Sequence, residues 1–438
     1  MSAERLLPFL QHDMSSVVVY RGGQAVAAGR LLSDAAALAA RLPRRSHAVN
    51  LCADRYQFTV AFLAAMHRRQ ITLLPSSEAV ASLMALTTDY PDLYFLRDEP
   101  LAGLPDDRVL IYPSGLEGAR AEAVPAFPDQ MQAAIFFTSG STGTPVANPR
   151  RWGALVDSAR AAGQALGLAS LQGAHILGTV PHQHSYGIES IIMLALQHGL
   201  AFHGARSLLP ADIVGELARL PEPRILVTTP IHLRALVDYD GDFPDVGRII
   251  CATAPLAPEL ARKAEARLDT QLYEIYGCSE VGQIATRRTS QVSEWTCIAG
   301  IALDERAGDI WASGPSAARA APLNDVIQML GPDRFLLQGR KSDIVNIAGK
   351  RSSLSYLNHH LTAIPGVQDG IFVLPDGAGD FTRLTAYVVA PTVTAKEILA
   401  ALRIHLDSAF LPRPIHFVDA LPRNPLGKIT ADELERLQ

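Results

Sequence analysis

A run of glycines and small hydroxyl residues near residue 140 combines residue types that bind phosphate. It reads Phe136-Phe137-Thr138-Ser139-Gly140-Ser141-Thr142-Gly143-Thr144-Pro145. Glycines let backbone N–H groups approach phosphate oxygens closely, and Ser and Thr hydroxyls add donors that can reorient. No Gly-Lys-Ser/Thr follows at the spacing of a Walker A loop. The run predicts a different phosphate-binding loop after a strand; a surface loop without a ligand is the alternative.

A carboxylate closes a second segment, which reads Tyr273-Glu274-Ile275-Tyr276-Gly277-Cys278-Ser279-Glu280. The pattern predicts a strand that ends at Tyr276 and Gly277, with Glu280 just beyond it. A carboxylate beside a polyphosphate can hold Mg²⁺, which takes oxygen ligands and shares them with a nucleotide. A surface Glu that caps a helix is the alternative interpretation.

Basic residues on glycine- and proline-rich loops form the remaining segments. Gly339-Arg340-Lys341-Ser342-Asp343 is followed by Gly349-Lys350-Arg351, and Asn424-Pro425-Leu426-Gly427-Lys428 comes last. A lysine on such a loop is suited to neutralise charge between a carboxylate nucleophile and an α-phosphate. A solvated turn lysine is the alternative for Lys428.

Helices that alternate with strands are expected to position these segments. Residues 57–68 have a helical apolar stripe and precede a short apolar run at 71–75. The same order recurs at 151–166 and 176–180, at 211–220 and 224–228, and at 257–267 and 271–275. Strands that alternate with helices of this length indicate an α/β fold, with parallel sheets covered by helices.

The pattern changes in the last third of the sequence. Short β-like runs occur at 309–312, 326–330 and 335–338, and a strand–helix alternation of about 100 residues follows Gly339. We therefore predict a large part, residues 1–338, with stacked mixed or parallel sheets, flanking helices and a β-rich edge. Residues 339–438 are predicted to form a small α+β domain.

Composition and charge exclude several classes of protein. The net charge of −5 provides no basic field for nucleic acid, and the four scattered cysteines indicate neither a disulfide framework nor a zinc site. The first residues lack the pattern of a signal peptide, and the apolar stretch 191–202 is too short to span a bilayer and reads as a buried helix. We expect a cytoplasmic enzyme without nucleic-acid or membrane partners.

The four segments, in this order, resemble those of the adenylate-forming superfamily, which includes acyl-CoA synthetases, aryl-acid ligases and peptide-synthetase adenylation domains. The resemblance spans about residues 15–438. It implies an adenylation core that binds ATP and the acid (1–338) and a mobile lid that carries the catalytic lysine (339–438). It also implies ATP and Mg²⁺, with a phosphopantetheine thiol as the acyl acceptor.

The resemblance implies a role for each matching position. Thr138, Ser139, Gly140, Ser141, Thr142 and Gly143 would bind phosphates; Thr253, Ala254, Tyr276, Gly277, Cys278 and Ser279 would surround adenine; Asp325 and Arg340 would bind ribose. Residues 181–187, here called the acid-binding segment, would supply His184 and Ser185 to the acid pocket, together with Ala252 and Gly282. Glu280 would hold Mg²⁺; Lys428, Glu280, Thr138 and His184 would be catalytic; Ser342 would be the hinge and Gly349 would line the thiol tunnel.

Three positions depart from the family pattern. A basic residue often follows the proline of the loop, but Val146 stands here, with Arg150 or Arg151 as possible replacements. Ser342 replaces the usual hinge Asp, and Asn346 replaces a common Lys. A catalytically impaired nucleotide-binding relative therefore stays open, as does a phosphotransferase that would release ADP.

The pocket residues favour an aromatic acid. Amino-acid-activating relatives place an Asp at the position of Ser185 to pair the substrate ammonium, so α-amino acids are disfavoured. His184, Ser185, Tyr186 and Thr253, beside small residues, suit a hydroxybenzoate. The short flanks resemble stand-alone ligases that load acyl carrier proteins, with coenzyme A as the alternative acceptor. Basic pairs that such a carrier could contact are Arg44, Arg45, Arg68, Arg69, Arg287 and Arg288, for which an ordinary solvated surface is the alternative.

Overall fold

The chain forms two compact units. The computed structural model describes residues 5–116, 121–138, 146–315, 317, 319–341, 344–347, 350–374, 383–423, 429 and 433. The first unit comprises the described residues up to Val292, together with Cys297–Ala302 and Ala312–Ala321. The second comprises Ser293–Thr296, Leu303–Trp311 and the described residues from Pro322 onward. The short β runs that follow residue 322 thus belong to the second unit.

Strands and helices alternate up to Val292. The strands are β1 (Leu6–Pro8), β2 (Val17–Arg21), β3 (Gln24–Ala27), β4 (His47–Asn50), β5 (Ile71–Leu74), β6 (Leu93–Arg97), β7 (Val109–Ile111), β8 (Ala126–Pro128), β9 (Gln132–Thr138), β10 (Val146–Arg151), β11 (His175–Gly178), β12 (Ala201–His203), β13 (Arg224–Thr228), β14 (Arg248–Cys251), β15 (Leu272–Cys278) and β16 (Gly282–Arg287). The helices are α1 (Ala28–Arg41), α2 (Arg55–His67), α3 (Val80–Asp89), α4 (Trp152–Ala165), α5 (Ser185–Gly187), α6 (Leu194–His198), α7 (Pro210–Arg219), α8 (Pro230–Val237) and α9 (Pro258–Leu268). A π-helical stretch, Ile188–Met193, joins α5 to α6, and short 3-10 turns lie at Asp106–Arg108 and Leu168–Ser170.

Two sheets with parallel centres build the first unit. One has the order β10-β9-β5-β4-β6-β7, in which only the β10–β9 pair is antiparallel. In the other, β16-β15-β14-β13-β11-β12-β2-β3 lie side by side, with antiparallel pairs only at the two ends of this run. Every residue of β13 and β14 is buried, as expected where helices cover both faces of a parallel sheet. The α/β fold predicted from the sequence is confirmed.

Helix α2 lies in the core of this unit. Residues from Arg55 to Met66 are buried, apart from Gln57, because the apolar side chains surround the helix instead of forming one stripe. Asp54 caps its start by accepting a hydrogen bond from the backbone N–H of Gln57, at 3.0 Å. Burial and the Asp54 cap therefore both stabilise the amino-terminal turn of α2.

The predicted helix over 191–202 is only partly correct. The helical backbone ends at His198, because Gly199 adopts a left-handed conformation with a φ of 65°. The chain then enters β12 at Ala201. The other predicted helices and strands of the first unit agree with the structure to within about three residues.

The second unit is an α+β assembly. Its elements from Pro322 onward are β21 (Asp325–Met329), β22 (Arg334–Arg340), β23 (Ile344–Ile347), β24 (Lys350–Ser353), α10 (Leu354–Thr362), β25 (Asp369–Val373), β26 (Thr385–Val389), α11 (Ala395–His405), the 3-10 turn Ser408–Phe410 and β27 (Ile415–Phe417). Four short strands divide their residues between the two units: β17 (Trp295–Cys297), β18 (Ala302–Arg306), β19 (Asp309–Ser313) and β20 (Ala321–Pro322). Strands β25, β26 and β27 pair in that order, and α10 and α11 contribute Leu357 and Leu402 to the core. Across the described stretches of the whole chain, no helix has the length and apolarity needed to cross a bilayer.

Candidate active site

The segments predicted to bind nucleotide and acid follow the carboxyl ends of parallel strands. Strands β9, β11, β14 and β15 end at Thr138, Gly178, Cys251 and Cys278, just before these segments. In open α/β sheets this edge is where ligands bind, because loops diverge there and leave a crevice. The fold thus places the predicted segments of the first unit where a site is expected.

Thr138 and Val146 flank the predicted phosphate loop. They are register partners at the end of the β9–β10 hairpin, so the predicted strand that leads into the loop is confirmed up to Thr138. Residues Ser139, Gly140, Ser141, Thr142 and Gly143 lie outside the described residues, and their phosphate contacts stay predictions. Val146 is 50% exposed at the start of β10.

Arg150 links the β9–β10 hairpin to the predicted adenine-binding segment. Its guanidinium donates to the backbone carbonyl of Ser279 and lies over the ring of Phe136, with 5.8 Å to the ring centroid. The residue is only 1% exposed, and burial lowers its pKa. Arg150 is thus not an exposed replacement for the missing pyrophosphate contact but a buried connection between two segments. The exposed Arg151 donates to the side-chain oxygen of Gln130 at 2.7 Å.

The turn that carries Glu280 joins β15 and β16. Cys278 and Gly282 are register partners, and a Cβ at Gly277 would lie 2.4 Å from the carbonyl oxygen of Gly282, so this close approach requires glycine. Burial, followed by the charge of Glu280, raises the pKa of the Cys278 thiol to about 12, which keeps the thiol protonated. Tyr276 is buried, whereas Glu280 is exposed on the turn.

The surroundings of Glu280 fit a metal ion shared with a nucleotide. No cluster of three His, Cys, Asp or Glu side chains that could hold a metal is found among the described residues. A single exposed carboxylate suits Mg²⁺, because this ion keeps several waters and binds through one or two carboxylates together with substrate phosphates. Glu280 would then be the residue of the chain that holds it.

Thr253 has a strained backbone at the predicted adenine pocket. Its φ is 85°, in the left-handed region, which is rare for a β-branched residue and costs on the order of 1–3 kcal/mol. The following residues are held by Glu274, whose carboxylate accepts from the Leu256 backbone N–H at 3.1 Å and pairs with Arg287 at 2.7 Å. Strain at such a position is typical of functional sites. It is an independent sign in favour of this segment.

Side chains of the acid-binding segment differ in what they offer a ligand. The Ser185 hydroxyl lies 2.8 Å from a carboxylate oxygen of Glu189, and the half-buried His184 precedes α5. The Tyr186 hydroxyl lies 3.1 Å from each of the carbonyl oxygens of Thr228 and Ile250, to which it donates. The backbone thus shares the hydroxyl proton of Tyr186, which does not support the expectation that this group donates to a substrate.

Glu189 contacts the predicted pocket residue Ser185, and the sequence reasoning missed it. It is 4% exposed within the π-helical stretch, and burial raises the pKa of its carboxyl group, opposed mainly by the charge of Arg150. The signal was an acidic residue inside an apolar helix, one helical turn after Ser185. The argument that the pocket lacks a counter-charge for an ammonium is weakened, because this carboxylate contacts Ser185.

Hydrogen bonds bring the three predicted segments of the first unit together. Arg150 joins the phosphate-loop hairpin to Ser279, as described above. Gln283, on β16, donates from its side-chain amide to the Ser190 hydroxyl at 2.9 Å and so joins the Glu280 hairpin to the acid-binding helix. The β9–β10 hairpin and the π-helical stretch after the acid-binding segment are thus each hydrogen-bonded to the β15–β16 hairpin.

The predicted sites of the second unit are described only in part. Asp325 and Arg340 are register partners in the antiparallel β21–β22 pair, so the two predicted ribose-binding residues lie opposite each other. Ser342, Gly349 and Lys428 lie outside the described residues, and their roles stay predictions.

The arginine pairs do not surround the predicted site. Arg44 and Arg45 precede β4, and Arg68 and Arg69 precede β5, at the edge opposite Thr138, because β9 runs parallel to β5. Arg287 is paired with Glu274 and Arg288 with Glu265. These side chains therefore do not form a basic surface beside the phosphate loop, and their contact with a carrier protein stays a prediction.

Known proteins match this arrangement of segments. Residues 15–319 match the family described as AMP-binding enzyme. A 4-coumarate–CoA ligase of Rhodobacter capsulatus is 32% identical over 299 residues, which cover 67% of this chain and 74% of that protein. The chain belongs to the AMP-binding enzyme family.

Solved structures of other proteins share this fold. ATP-bound MatB from Rhodopseudomonas palustris superposes with a TM-score of 0.81 at 18% identity and covers 97% of this chain and 96% of its own. The anthranilate CoA ligase AuaEII in complex with anthranoyl-AMP has a TM-score of 0.81 at 14% identity and covers 98% of each chain. The family assignment from sequence is thus confirmed, and this AMP-binding enzyme is an AMP-forming acid–thiol ligase.

Proposed function

We propose that this enzyme activates a hydroxylated aromatic acid, such as a hydroxybenzoate, as its acyl-AMP and transfers the acyl group to the phosphopantetheine thiol of an acyl carrier protein. The observation that supports the proposal is the pair of hydrogen bonds that tie the β9–β10 hairpin and the π-helical stretch to the hairpin that carries Glu280. Such connections would hold an acid and a triphosphate in fixed relation, as an in-line displacement requires.

Two balanced steps make up the reaction. A carboxylate oxygen of the acid forms a bond to the α-phosphorus of ATP while the bond to the β-phosphate oxygen breaks, and pyrophosphate leaves. The thiolate sulfur then attacks the acyl carbon, and AMP leaves. Thr138 would donate to phosphate oxygens, Lys428 would lie between the carboxylate and the α-phosphate, and Glu280 would hold Mg²⁺, which neutralises charge on the phosphates when bound.

The hydroxylated aromatic acid is supported by the hydrogen-bonding side chains of His184 and Ser185 and by the small predicted pocket residues Ala252 and Gly282. The name of one relative, 4-coumarate–CoA ligase, specifies an acid of this chemistry. Glu189 favours a second candidate, an aminobenzoate, because its buried carboxylate could accept from an amino group by way of Ser185 or directly. A structural neighbour is named as an anthranilate CoA ligase.

The carrier protein as acceptor is supported by the resemblance to compact stand-alone ligases. Coenzyme A is the second candidate, favoured by the names of the 4-coumarate–CoA ligases among the relatives. Both acceptors present the same phosphopantetheine thiol. The basic pairs at the opposite sheet edge do not distinguish them.

The experiment identifies both products. The enzyme is incubated with MgATP, a panel of hydroxy-, amino- and unsubstituted benzoates, fatty acids and amino acids, and either coenzyme A or a holo-carrier protein. The proposal expects AMP and an acyl-carrier thioester, with hydroxybenzoates preferred. Acyl-CoA as the faster product would support the second acceptor, ADP would indicate a phosphotransferase, and ATP binding without AMP from any acid would indicate an impaired relative.

A further inference from the structure

Arg55, at the start of α2, is enclosed by backbone carbonyls. Its Nη1 donates to the carbonyl oxygens of His203, at 3.1 Å, and Ala205, and its Nη2 donates to those of Gly178, at 2.8 Å, and Val180, at 3.0 Å. The two ends of one guanidinium thus hold two chain segments. One follows β12, and the other connects β11 to the acid-binding segment.

Arg55 has no ion pair with the carboxylates of the described residues. The neighbouring Asp54 pairs with Arg21 instead, at 3.0 Å. Arg55 is 0% exposed, and burial, followed by the charge of Arg206, lowers the pKa of its guanidinium to about 9. A buried cation without a counter-charge destabilises a fold unless its hydrogen bonds compensate. A planar fork that reaches four carbonyls is a geometry that Lys cannot provide.

The amino-terminal turn of α2 holds the acid-binding segment at a second point. The His182 imidazole lies 2.9 Å, through its Nε2, from the carbonyl oxygen of Cys52, and its ring meets the Phe58 ring edge-on at 4.7 Å. Burial lowers the pKa of His182 to about 3, so the ring is neutral and can donate one hydrogen bond. Val180 and His182, held from the same side, immediately precede His184.

We propose that Arg55 is a positioning residue, which together with the Cys52 carbonyl fixes the backbone that presents His184 and Ser185 to the acid. This inference rests on the proposed function for the identity of the ligand, but the positioning itself is a property of the fold. We therefore expect loss of the Arg55 guanidinium to raise the KM for the acid more than the KM for MgATP, because the described hydrogen bonds of Arg55 lead to residues 178–180 and 203–205.

Arg55→Lys and Arg55→Met test the proposal, with Arg248→Lys and Arg248→Met as matched controls. Arg248, on β14, is also buried, donates to the carbonyl oxygen of Leu166 and lies over the Tyr273 ring at 4.9 Å, so its loss also removes a buried guanidinium from the first unit. We expect both Arg55 variants to raise the KM for the acid at least tenfold and to leave the KM for MgATP within threefold. The Arg248 variants should keep both KM values within threefold of the parent. An acid KM that stays within threefold in both Arg55 variants would overturn the proposal.

A second measurement does not depend on catalysis. Hydrogen–deuterium exchange of peptides covering residues 178–187 should be at least tenfold faster in Arg55→Lys than in the parent and unchanged in Arg248→Lys. A parent that turns over no acid would count against the proposed function alone, since this exchange would still report on the positioning. If the Arg55 variants do not fold, His182→Phe removes the contact with Cys52 and should give the same local increase. The inference would be contradicted if hydrogen–deuterium exchange in His182→Phe were as slow as in the parent, or if exchange became faster evenly over the whole first unit.

Discussion

Replacement of Arg150 by Met should destabilise the protein and weaken its use of MgATP. Met keeps an unbranched chain of similar length but removes the guanidinium that donates to the Ser279 carbonyl. It also removes the cation that most favours the ionised form of the buried Glu189. Both losses fall on segments predicted to bind substrates.

The size of the effect follows from these contacts. A hydrogen bond from a charged donor contributes about 1.5–3 kcal/mol, and a buried carbonyl left without a donor adds a desolvation cost. Relief from burying a guanidinium offsets part of this. We therefore expect the free energy of unfolding to fall by about 2 kcal/mol. Because Ser279 precedes Glu280, we also expect a rise of about tenfold in the KM for MgATP, which corresponds to about 1.4 kcal/mol.

Urea unfolding and steady-state kinetics measure the two effects, with Arg151→Met as the control. Arg151 is the adjacent residue, but its hydrogen bond to Gln130 is exposed, so its loss should change the free energy of unfolding by less than about 0.5 kcal/mol. If Arg150→Met unfolds like Arg151→Met and keeps the parental KM for MgATP, the buried connection is not what holds the Glu280 turn.

Three further predictions concern single backbone and side-chain features. Gly277→Ala should abolish most of the pyrophosphate release, because the new Cβ would lie 2.4 Å from the Gly282 carbonyl oxygen and displace the turn. Gly215→Ala is the control, since a Cβ at Gly215 meets no atom within 4 Å. Equal rates of pyrophosphate release in the two variants would refute the prediction. Thr253→Gly should raise the free energy of unfolding by about 1 kcal/mol, because glycine adopts the left-handed backbone without strain, and should lower the rate of pyrophosphate release. An unchanged free energy of unfolding in urea would show that Thr253 is not strained. Burial lowers the pKa of His182 to about 3 from an ordinary value of 6.5, so the unfolded chain binds the extra proton and stability falls as pH drops below 6.5. His182→Phe should remove about 2 kcal/mol of the loss between pH 7 and pH 5 in urea unfolding, and an unchanged loss would show that this imidazole does not carry it.

Sequence patterns predicted the fold because they reflect local physics. The predicted strand 224–228 matches β13 residue for residue, because its centre, Ile225 to Val227, is an apolar run of the kind that a fully buried parallel strand requires. The helix predicted over 191–202 ended early because the periodicity does not show that Gly199 turns left-handed. The helix boundaries differ by a residue or two where capping, and not periodicity, decides the end.

The sequence predicts which segments form the site but not which side chains connect them. Glycine and hydroxyl residues predict where phosphates and adenine would lie, and those positions stay predictions, whereas Arg150 and Glu189 were recognised only from their tertiary contacts with the predicted segments. Long-range contacts such as Arg150 with Ser279, 129 positions apart, leave no local pattern. The same holds for Arg55, whose four partners lie 123 to 150 positions away.

The central claim is that this chain joins an acid to AMP, and exchange of labelled pyrophosphate into ATP tests it most directly. The assay uses hydroxybenzoates, aminobenzoates, benzoate, fatty acids and amino acids one at a time, with Lys428→Ala as the control variant. The account predicts strong exchange that depends on a hydroxylated aromatic acid and is lost in Lys428→Ala. No exchange with any acid, in an enzyme that still binds ATP, would contradict it.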